Sequence, residues 1–364
     1  MKKSESKKIN VCVFCGGVSP EHVVSVASAA SVTSHIDREK YNVSVIGMGR
    51  ENGEWRYYGE NKFYSENGDI DSHKLLDSGW YPAFVKPGKV PCFCYDADGK
   101  TNPIDVDIIF PVLHGDNGED GRFQGLIEGA GYPMVGCKTL ASAMCMDKDI
   151  SKRIVKNENV NVVPWVFYNR PELLNVDDVV SKLGLPVFVK PTSSGSSCGI
   201  TKVKTKEQIK GAVQEAFKFS ESIIIEKAID AREIEVAVLG RWNSNIVVSI
   251  PGEIIPRKEF YSYEAKYVDK DGADLVIPAK ISNENLGKIK LYAESVFRSL
   301  RCSGMSRVDF FIDKNNDDVF FNEINTIPGF TIISMYPKLL GVSGIPYERL
   351  LDELITLGLE EFNA

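Results

Sequence analysis

Two carboxylates face each other in a hairpin that the sequence predicts near the C-terminal end of the chain. The segment VDFFIDKNNDDVFFNEIN (308–325) has two apolar runs around an Asn- and Asp-rich turn. With the turn centred in that run, Asp309 pairs with Glu323 and lies on the same sheet face. Arg307 then pairs with Asn325 on that face too. Opposed carboxylates repel, so the pattern favours a Mg²⁺ site over its alternative, a solvated polar face.

A second stretch indicates a site for an anion. The segment KPTSSGSSCG (190–199) places Lys190 directly before a run of small residues. Small residues let backbone N–H groups approach an anion, and their hydroxyls add donors. The segment lacks the G-x-x-x-x-G-K-[ST] pattern of a P-loop. Two interpretations stay open, a phosphate-binding loop between two strands or a flexible surface turn.

Four further charged residues carry weaker signals. Lys148 in CMDKD and Lys266 in YEAKY are isolated cations, and each alone is typical of a solvated surface lysine. Glu226 and Lys227 close an apolar run that is predicted to be a strand. The end of such a strand could offer backbone hydrogen bonds to a flat ligand.

A helix start and a loop histidine complete the set of candidates. Ser19 is predicted as the N-cap of a helix, with Pro20 in its first turn. Glu21 there either complements the helix dipole or meets the ammonium group of a ligand. His114 follows a buried strand in a Gly-rich loop, and loops often carry function. Its alternative is a loop histidine with satisfied hydrogen bonds.

Composition excludes several classes of protein. A chain of 364 residues with 43% hydrophobic residues can form two or three packed domains, and its net charge of -7 argues against general affinity for nucleic acid. We find neither a signal peptide nor a bilayer-spanning stretch, which predicts a cytoplasmic protein. The eight cysteines are scattered and do not suggest a disulfide framework, Cys12 and Cys15 are predicted to be buried thiols, and the histidines lack metal-ligand spacing.

The order of predicted elements indicates an α/β fold. A continuous apolar strand leads into Gly16 and Gly17, then a helix, then a strand over Tyr41–Met48. This β-loop-α-β opening predicts an N-terminal parallel sheet. Strands dominate after residue 162, and a final helix is predicted from Tyr347.

The order of the motifs is more specific than any one of them. Eight motifs follow one another along the chain: GGVSPEHVVS, LHGDNGEDG, MDKDISK, VKPTSSGSSCG, IIIEK, YEAKY, GMSRVDFF and FNEINTIPGF. Together they closely resemble the D-alanine–D-alanine ligases of the ATP-grasp superfamily, from Ile9 to about Leu357. The resemblance implies a three-domain α/β ligase with an N-terminal domain at 1–119, a central subdomain at 120–229 and a C-terminal subdomain at 230–364. A mobile lid is expected at about 256–272.

The resemblance also implies a role for each matching residue. It assigns ATP to Lys148, Lys190, Ser197, Glu226, Lys227, Ile229, Glu233 and Lys266. It assigns two Mg²⁺ ions, with Mn²⁺ as a substitute, to Asp309, Glu323 and Asn325. It assigns the two D-alanine molecules and the reaction oxyanion to Glu21, His114, Ser196, Tyr267, Arg307, Gly329 and Ser334.

The implied activity is ATP-dependent formation of D-alanyl-D-alanine through an acyl phosphate, for peptidoglycan precursors, by a cytoplasmic homodimer that binds neither nucleic acid nor membrane. The alternative is a D-alanine–D-serine ligase of the vancomycin-resistance type. Met335 stands where many such ligases have Arg, and Tyr267 is kept, so both residues favour D-alanine as acceptor. Ala228 replaces an aromatic residue that some relatives have beside the adenine.

Overall fold

The computed structural model describes residues 7–59, 80–86, 92–195, 198–257 and 273–363. Within these ranges the chain forms two compact units that are each assembled from separated segments. Unit 1 comprises Met1–Thr139, Ser303–Met305 and Ile327–Ala364, and unit 2 comprises Leu140–Cys302 and Ser306–Thr326. The domain boundaries at residues 119 and 229 stay a prediction.

Unit 1 contains a seven-stranded sheet in the order β6-β5-β4-β3-β2-β1-β7. Its strands are β1 (Ile9–Gly16), β2 (Tyr41–Met48), β3 (Trp55–Gly59), β4 (Tyr81–Lys86), β5 (Cys92–Ala97), β6 (Lys100–Pro103) and β7 (Ile108–Pro111). Helices α1 (His22–His35) and α2 (Arg122–Ala130) belong to the same unit.

One end of this sheet is parallel, as the opening pattern predicts. Strand β1 pairs in parallel with β2 on one side and with β7 on the other. The six residues from Val11 to Gly16 are all buried, which is typical of a strand covered on both faces. Strands β3 to β6 then extend the sheet with antiparallel pairs. The prediction of an α/β fold with an N-terminal parallel sheet is confirmed.

The start of α1 differs from the sequence prediction. The helix begins at His22, with Glu21 in the N-cap position, rather than after an N-cap at Ser19. The Ser19 hydroxyl instead accepts a hydrogen bond from the Glu21 N–H at 3.0 Å. A serine two residues before a backbone donor forms such a turn as readily as a helix cap, so the sequence signal was right about the region and wrong about the register.

Unit 2 contains two further sheets. The first has the antiparallel order β10-β9-β11-β8, from β8 (Trp165–Tyr168), β9 (Val187–Pro191), β10 (Thr201–Val203) and β11 (Ile223–Lys227). The second has the order β15-β14-β12-β16-β17, with β13 paired to β12. Its strands are β12 (Ala231–Arg241), β13 (Ile246–Val248), β14 (Gly252–Pro256), β15 (Ala273–Val276), β16 (Ser303–Asp313), whose first three residues belong to unit 1, and β17 (Val319–Asn325).

Four helices of the described part of the chain contact these sheets: α4 (Lys148–Asn157) contacts β17, α5 (Val176–Leu183) contacts β11, α6 (Ile209–Ala216) contacts β9, and α7 (Asn283–Ser299) contacts β12. Helix α3 (Thr139–Met146) precedes them along the chain. Helices α5 and α6 bury Val179 and Val213 against Val189 and Ile225 of the first sheet. Every helix in the described part of the chain is too short or too polar to cross a bilayer.

The cysteines form no disulfide framework, as predicted. None of the eight, all of which lie in the described residues, is part of a disulfide, and Cys12 and Cys15 are fully buried in β1. Burial disfavours the thiolate, so it raises the pKa of Cys12 to about 12 and also raises the pKa of Cys15. The C-x-x-C pair is therefore part of the core of unit 1.

The two ends of the chain meet in unit 1. Helices α8 (Met335–Val342) and α9 (Tyr347–Phe362) return to this unit, and α9 contacts α1 and β7. At the closest approach, a Cβ atom on Gly358 would lie 2.8 Å from the Met134 carbonyl oxygen and 2.8 Å from Ile108. Gly358 is therefore required by packing.

We expect Gly358→Ala to lower the free energy of unfolding by about 1–3 kcal/mol. The reason is that the Met134 backbone cannot move away from the added methyl group without strain. Gly287→Ala is the matched control, since Gly287 lies in α7 with open space around its Cα. It should be neutral or stabilising by about 0.5–1 kcal/mol. Urea unfolding of both variants measures the difference. Equal effects would contradict the packing explanation.

Candidate active site

The hairpin of β16 and β17 has the predicted register. Asp309 pairs with Glu323, and Arg307 pairs with Asn325. The register shifts immediately afterwards, between Asp309 and Phe310. The bulge leaves the polar pairs aligned, so the carboxylates are brought together as expected.

Cations in unit 2 offset the repulsion between these carboxylates. The Arg307 guanidinium donates to both oxygens of Asp309 at 2.7 Å, and it lies 3.2 Å from Glu235. Lys148 Nζ lies 3.4 Å from Glu323 Oε2. Burial disfavours charge on Arg307, but Asp309 and Glu235 outweigh that cost and raise its pKa well above the ordinary value.

The donor set of the hairpin fits a hard divalent cation. Two carboxylates and the amide of Asn325 lie on neighbouring strand positions, and Asn325 Nδ2 donates to Asp309 Oδ2 at 3.0 Å. Among the described residues, no group of three or more His, Cys, Asp or Glu side chains could hold a metal by itself. A Mg²⁺ ion here would therefore complete its shell with waters and phosphate oxygens, as Mg²⁺ commonly does.

Helix α4 places Lys148 against the small-residue loop. Asp147 caps the helix by accepting from the Asp149 and Ile150 N–H groups. The Lys148 side chain donates to the Ser194 carbonyl at 2.9 Å, and its N–H donates to Thr192. Lys148 is thus buried against the loop and is not the solvated lysine that a single residue would suggest.

Glu226 is buried between two lysines, and its contact with the adenine stays a prediction. Its side chain is 2% exposed, and its carboxylate pairs with Lys190 on one oxygen and with Lys152 on the other. Burial would raise the pKa of Glu226, but the two lysines outweigh it and lower that pKa to about 2. Sequence reasoning missed Lys152, although its spacing of one helical turn from Lys148 in MDKDISK was a usable signal.

The other predicted ATP residues follow along the chain. Lys227 ends β11 and is exposed, and Ile229 lies in the connection to β12. The Ala228 N–H donates to the Pro186 carbonyl at 3.0 Å, which fixes this connection beside β9. Glu233 lies within β12 and pairs with Ile254. Their contacts with a nucleotide stay predictions.

Glu21 is buried in unit 1 beside a glycine turn. A Cβ atom on Gly115 would lie 2.8 Å from Glu21 Oε2 and 2.9 Å from Ser19 Oγ. Gly115 also has a φ of +72°, which favours glycine. The turn therefore brings backbone close to the carboxylate in a way that a larger residue would prevent.

Both ring nitrogens of His114 take part in hydrogen bonds. Nδ1 lies 2.8 Å from the Ile327 carbonyl, which can only accept, so Nδ1 donates. Nε2 lies 3.2 Å from Ser28 Oγ, and that oxygen accepts from the Phe330 N–H. The histidine thereby holds the segment after β17 against α1, and its proposed contact with substrate stays a prediction.

Gly329 and Ser334 lie on one turn of unit 1. Ser334 is in the N-cap position of α8, but its hydroxyl accepts from the Thr331 N–H at 3.1 Å and does not cap the helix. A Cβ atom on Gly329 would lie 3.1 Å from that hydroxyl. The predicted residues Ser196, Ser197, Lys266 and Tyr267 lie outside the described residues, as does most of the lid expected at about 256–272, of which only residues 256 and 257 are described.

Comparison with known proteins covers nearly the whole chain. Two family models match, "D-ala D-ala ligase N-terminus" over residues 10–137 and "D-ala D-ala ligase C-terminus" over residues 154–356. The chain is 46% identical over 364 residues to a D-alanine–D-alanine ligase of Caldicellulosiruptor bescii, covering 97% of this chain and 96% of that one.

Solved structures give the same result. The D-alanine–D-alanine ligase of Coxiella burnetii matches with a TM-score of 0.85 and 34% identity, covering 98% of this chain and 96% of that one. The VanG D-Ala:D-Ser ligase of Enterococcus faecalis matches with a TM-score of 0.84 and 36% identity, covering 97% of this chain and 100% of that one. The chain belongs to the D-alanine–D-alanine ligase family, with the ATP-grasp fold that its motifs predict.

Proposed function

We propose that the protein joins two molecules of D-alanine to D-alanyl-D-alanine, with hydrolysis of one ATP to ADP and phosphate. The observation that carries most weight is the polar face of the β16–β17 hairpin. There, two opposed carboxylates and an amide lie beside Arg307 and Lys148. Such a group suits charge neutralisation on a phosphate chain, and the family match supplies the substrates.

The reaction requires activation, because a carboxylate oxygen is a poor leaving group. A carboxylate oxygen of the first D-alanine attacks the γ-phosphorus of ATP, which releases ADP and forms an acyl phosphate. The amine of the second D-alanine then attacks the carbonyl carbon, loses a proton and expels phosphate. Both steps depend on alignment and on neutralised charge more than on covalent help from the protein.

Unit 2 supplies the groups proposed for the nucleotide. Lys148 and Lys190 neutralise phosphate oxygens, and the loop after β9 adds backbone donors. The end of β11, from Lys227 to Ile229, lines the adenine, and Glu233 meets the ribose. Ser197 and Lys266 belong to this proposed set too.

Mg²⁺ is proposed to bind through Asp309, Glu323 and Asn325. When bound, it would neutralise the charge on the phosphate chain. Arg307 is proposed to stabilise the tetrahedral oxyanion by preorganised donors, for which its carboxylate partners already fix the guanidinium. By family likeness, we propose that two ions bind.

Unit 1 supplies the groups proposed for the amino acids. The Glu21 carboxylate binds the ammonium of the first D-alanine, and His114 lies near its carboxylate. The Gly329 N–H and Ser334 hydroxyl bind the second D-alanine. By family likeness, Ser196 and Tyr267 of the other unit are proposed to act with Glu21, and the lid is proposed to exclude water that would hydrolyse the acyl phosphate.

We propose that the enzyme works in the cytoplasm as a homodimer and that its product enters peptidoglycan synthesis. D-alanine is preferred over D-serine as acceptor, because Met335 at the buried start of α8 offers no charge or hydrogen-bond donor for a serine hydroxyl.

The product profile tests the acceptor. With D-alanine, D-serine and D-lactate supplied together, we expect D-alanyl-D-alanine as the main product and ADP release with D-alanine alone. Mass spectrometry of the products across pH 6–9 measures it. Faster formation of D-alanyl-D-serine throughout that range would favour the VanG-like alternative.

Glu323→Gln tests the hairpin. We expect a loss of turnover of about a hundredfold or more, because several kcal/mol of charge stabilisation depend on the metal ligands. Circular dichroism should show an unchanged fold, and Mg²⁺ titration by calorimetry should show weaker binding. Asn322→Ala on the adjacent position of β17 is the control. A fully active Glu323→Gln enzyme would remove the metal assignment.

Glu21→Gln tests the amino-acid side. Loss of a charged hydrogen bond should raise the KM for D-alanine about 10- to 100-fold, while the KM for ATP stays within about twofold. Steady-state kinetics with each substrate varied separately measures both constants. Exposed Glu39→Gln is the control. An equal rise in both KM values would argue against a specific ammonium contact.

A further inference from the structure

Lys152 is a buried lysine to which the proposed roles assign nothing. Its side chain lies on α4 and is 1% exposed. Lysines are seldom fully buried unless they are paired, since removal of the ammonium from water is costly. A lysine held in such a place therefore needs a reason.

The contacts of Lys152 lead to the proposed phosphate site. Its Nζ lies 2.7 Å from Glu226 Oε1 and 5.9 Å from the centre of the Phe321 ring. The other oxygen of Glu226 pairs with Lys190 Nζ. Glu226 thus bridges a lysine with no proposed ligand contact and a lysine proposed to bind phosphate.

Helix geometry places the two lysines of α4 in the same cluster. Lys148 and Lys152 are one turn apart, so they project from the same face of the helix. Lys148 pairs with Glu323 in the hairpin. The cluster contains three lysines and two glutamates, so lysines outnumber glutamates by one. Its members are Lys148, Lys152, Lys190, Glu226 and Glu323.

Removal of Lys152 would change that balance. In the intact cluster Glu226 is ionised at neutral pH, since Lys152 and Lys190 together hold its pKa at about 2 despite burial. Without Lys152, Lys190 would be the only lysine paired with Glu226. The positive charges of Lys148 and Lys190 would then be neutralised by the two glutamates. Lys190 would then have little attraction left for an anion in this low-dielectric setting.

We propose that Lys152 is a positioning residue that neutralises and fixes Glu226, so that Lys190 keeps its charge and orientation for the phosphates of ATP. This inference rests on the proposed function for the identity of the nucleotide. It does not depend on the amino-acid substrates.

Binding of ATP and of inorganic tripolyphosphate, measured by calorimetry without D-alanine, tests the proposal. We expect Lys152→Met to weaken both by about tenfold or more, because a charged partner is lost from a buried pair. Tripolyphosphate lacks adenine and ribose, so it reports on the phosphate site alone. Lys156→Met is the matched control, since Lys156 lies one turn further along α4 and is exposed. It should stay within about twofold of wild type.

A double substitution separates charge from structure. Lys152→Met combined with Glu226→Gln removes both buried charges, so it also avoids the unfolding that a single unpaired charge could cause. Tripolyphosphate affinity should return to within about threefold of wild type, since Lys190 is no longer neutralised. Wild-type affinity in Lys152→Met, an equal loss in Lys156→Met, or an unrecovered loss in the double variant would each overturn the proposal.

The test is independent of the ligase activity. If the protein fails to join D-alanine but the binding pattern is as expected, the proposed function is wrong and the role of Lys152 stands. If D-alanyl-D-alanine forms normally and the affinities do not change, the function stands and the role of Lys152 is wrong.

Discussion

The electrostatic balance of unit 2 depends on one unfavourable pairing, that of Asp309 with Glu323 across neighbouring strands. Like charges at opposed sheet positions destabilise a hairpin unless cations offset them. Arg307 and Lys148 supply that compensation. The same two cations are proposed to hold the oxyanion and the phosphates, so folding and catalysis draw on one set of charges. The same principle applies to Glu226, because its buried carboxylate is paired with a lysine on each oxygen.

The features predicted correctly from the sequence are the local ones. The register of the hairpin follows from a short polar turn and from strand alternation, and both act over a few residues. The parallel sheet of unit 1 follows from the continuous apolar run of β1, which only a strand buried on both faces would carry. The roles of the site residues were inferred from the order of the motifs. That order indicates the family of the protein but gives no distances between residues.

The features that sequence reasoning missed depend on contacts between distant segments. The pairing of Lys152 with Glu226 joins helix α4 to strand β11 of the four-stranded sheet. The local sequence around either residue does not predict that the other is its partner. The return of α9 to the N-terminal sheet likewise depends on contacts between the two ends of the chain, such as the close packing at Gly358. At Ser19 the error was smaller, since turn and helix cap compete for the same hydroxyl.

In the proposed reaction, the carboxylate of the first D-alanine takes a phosphoryl group from ATP before the peptide bond forms. D-alanine labelled with ¹⁸O in its carboxylate tests this most directly, with mass spectrometry of the phosphate released during turnover. We expect one ¹⁸O atom in each phosphate, because the attacking oxygen leaves with phosphorus. Unlabelled phosphate accompanying D-alanyl-D-alanine would contradict it.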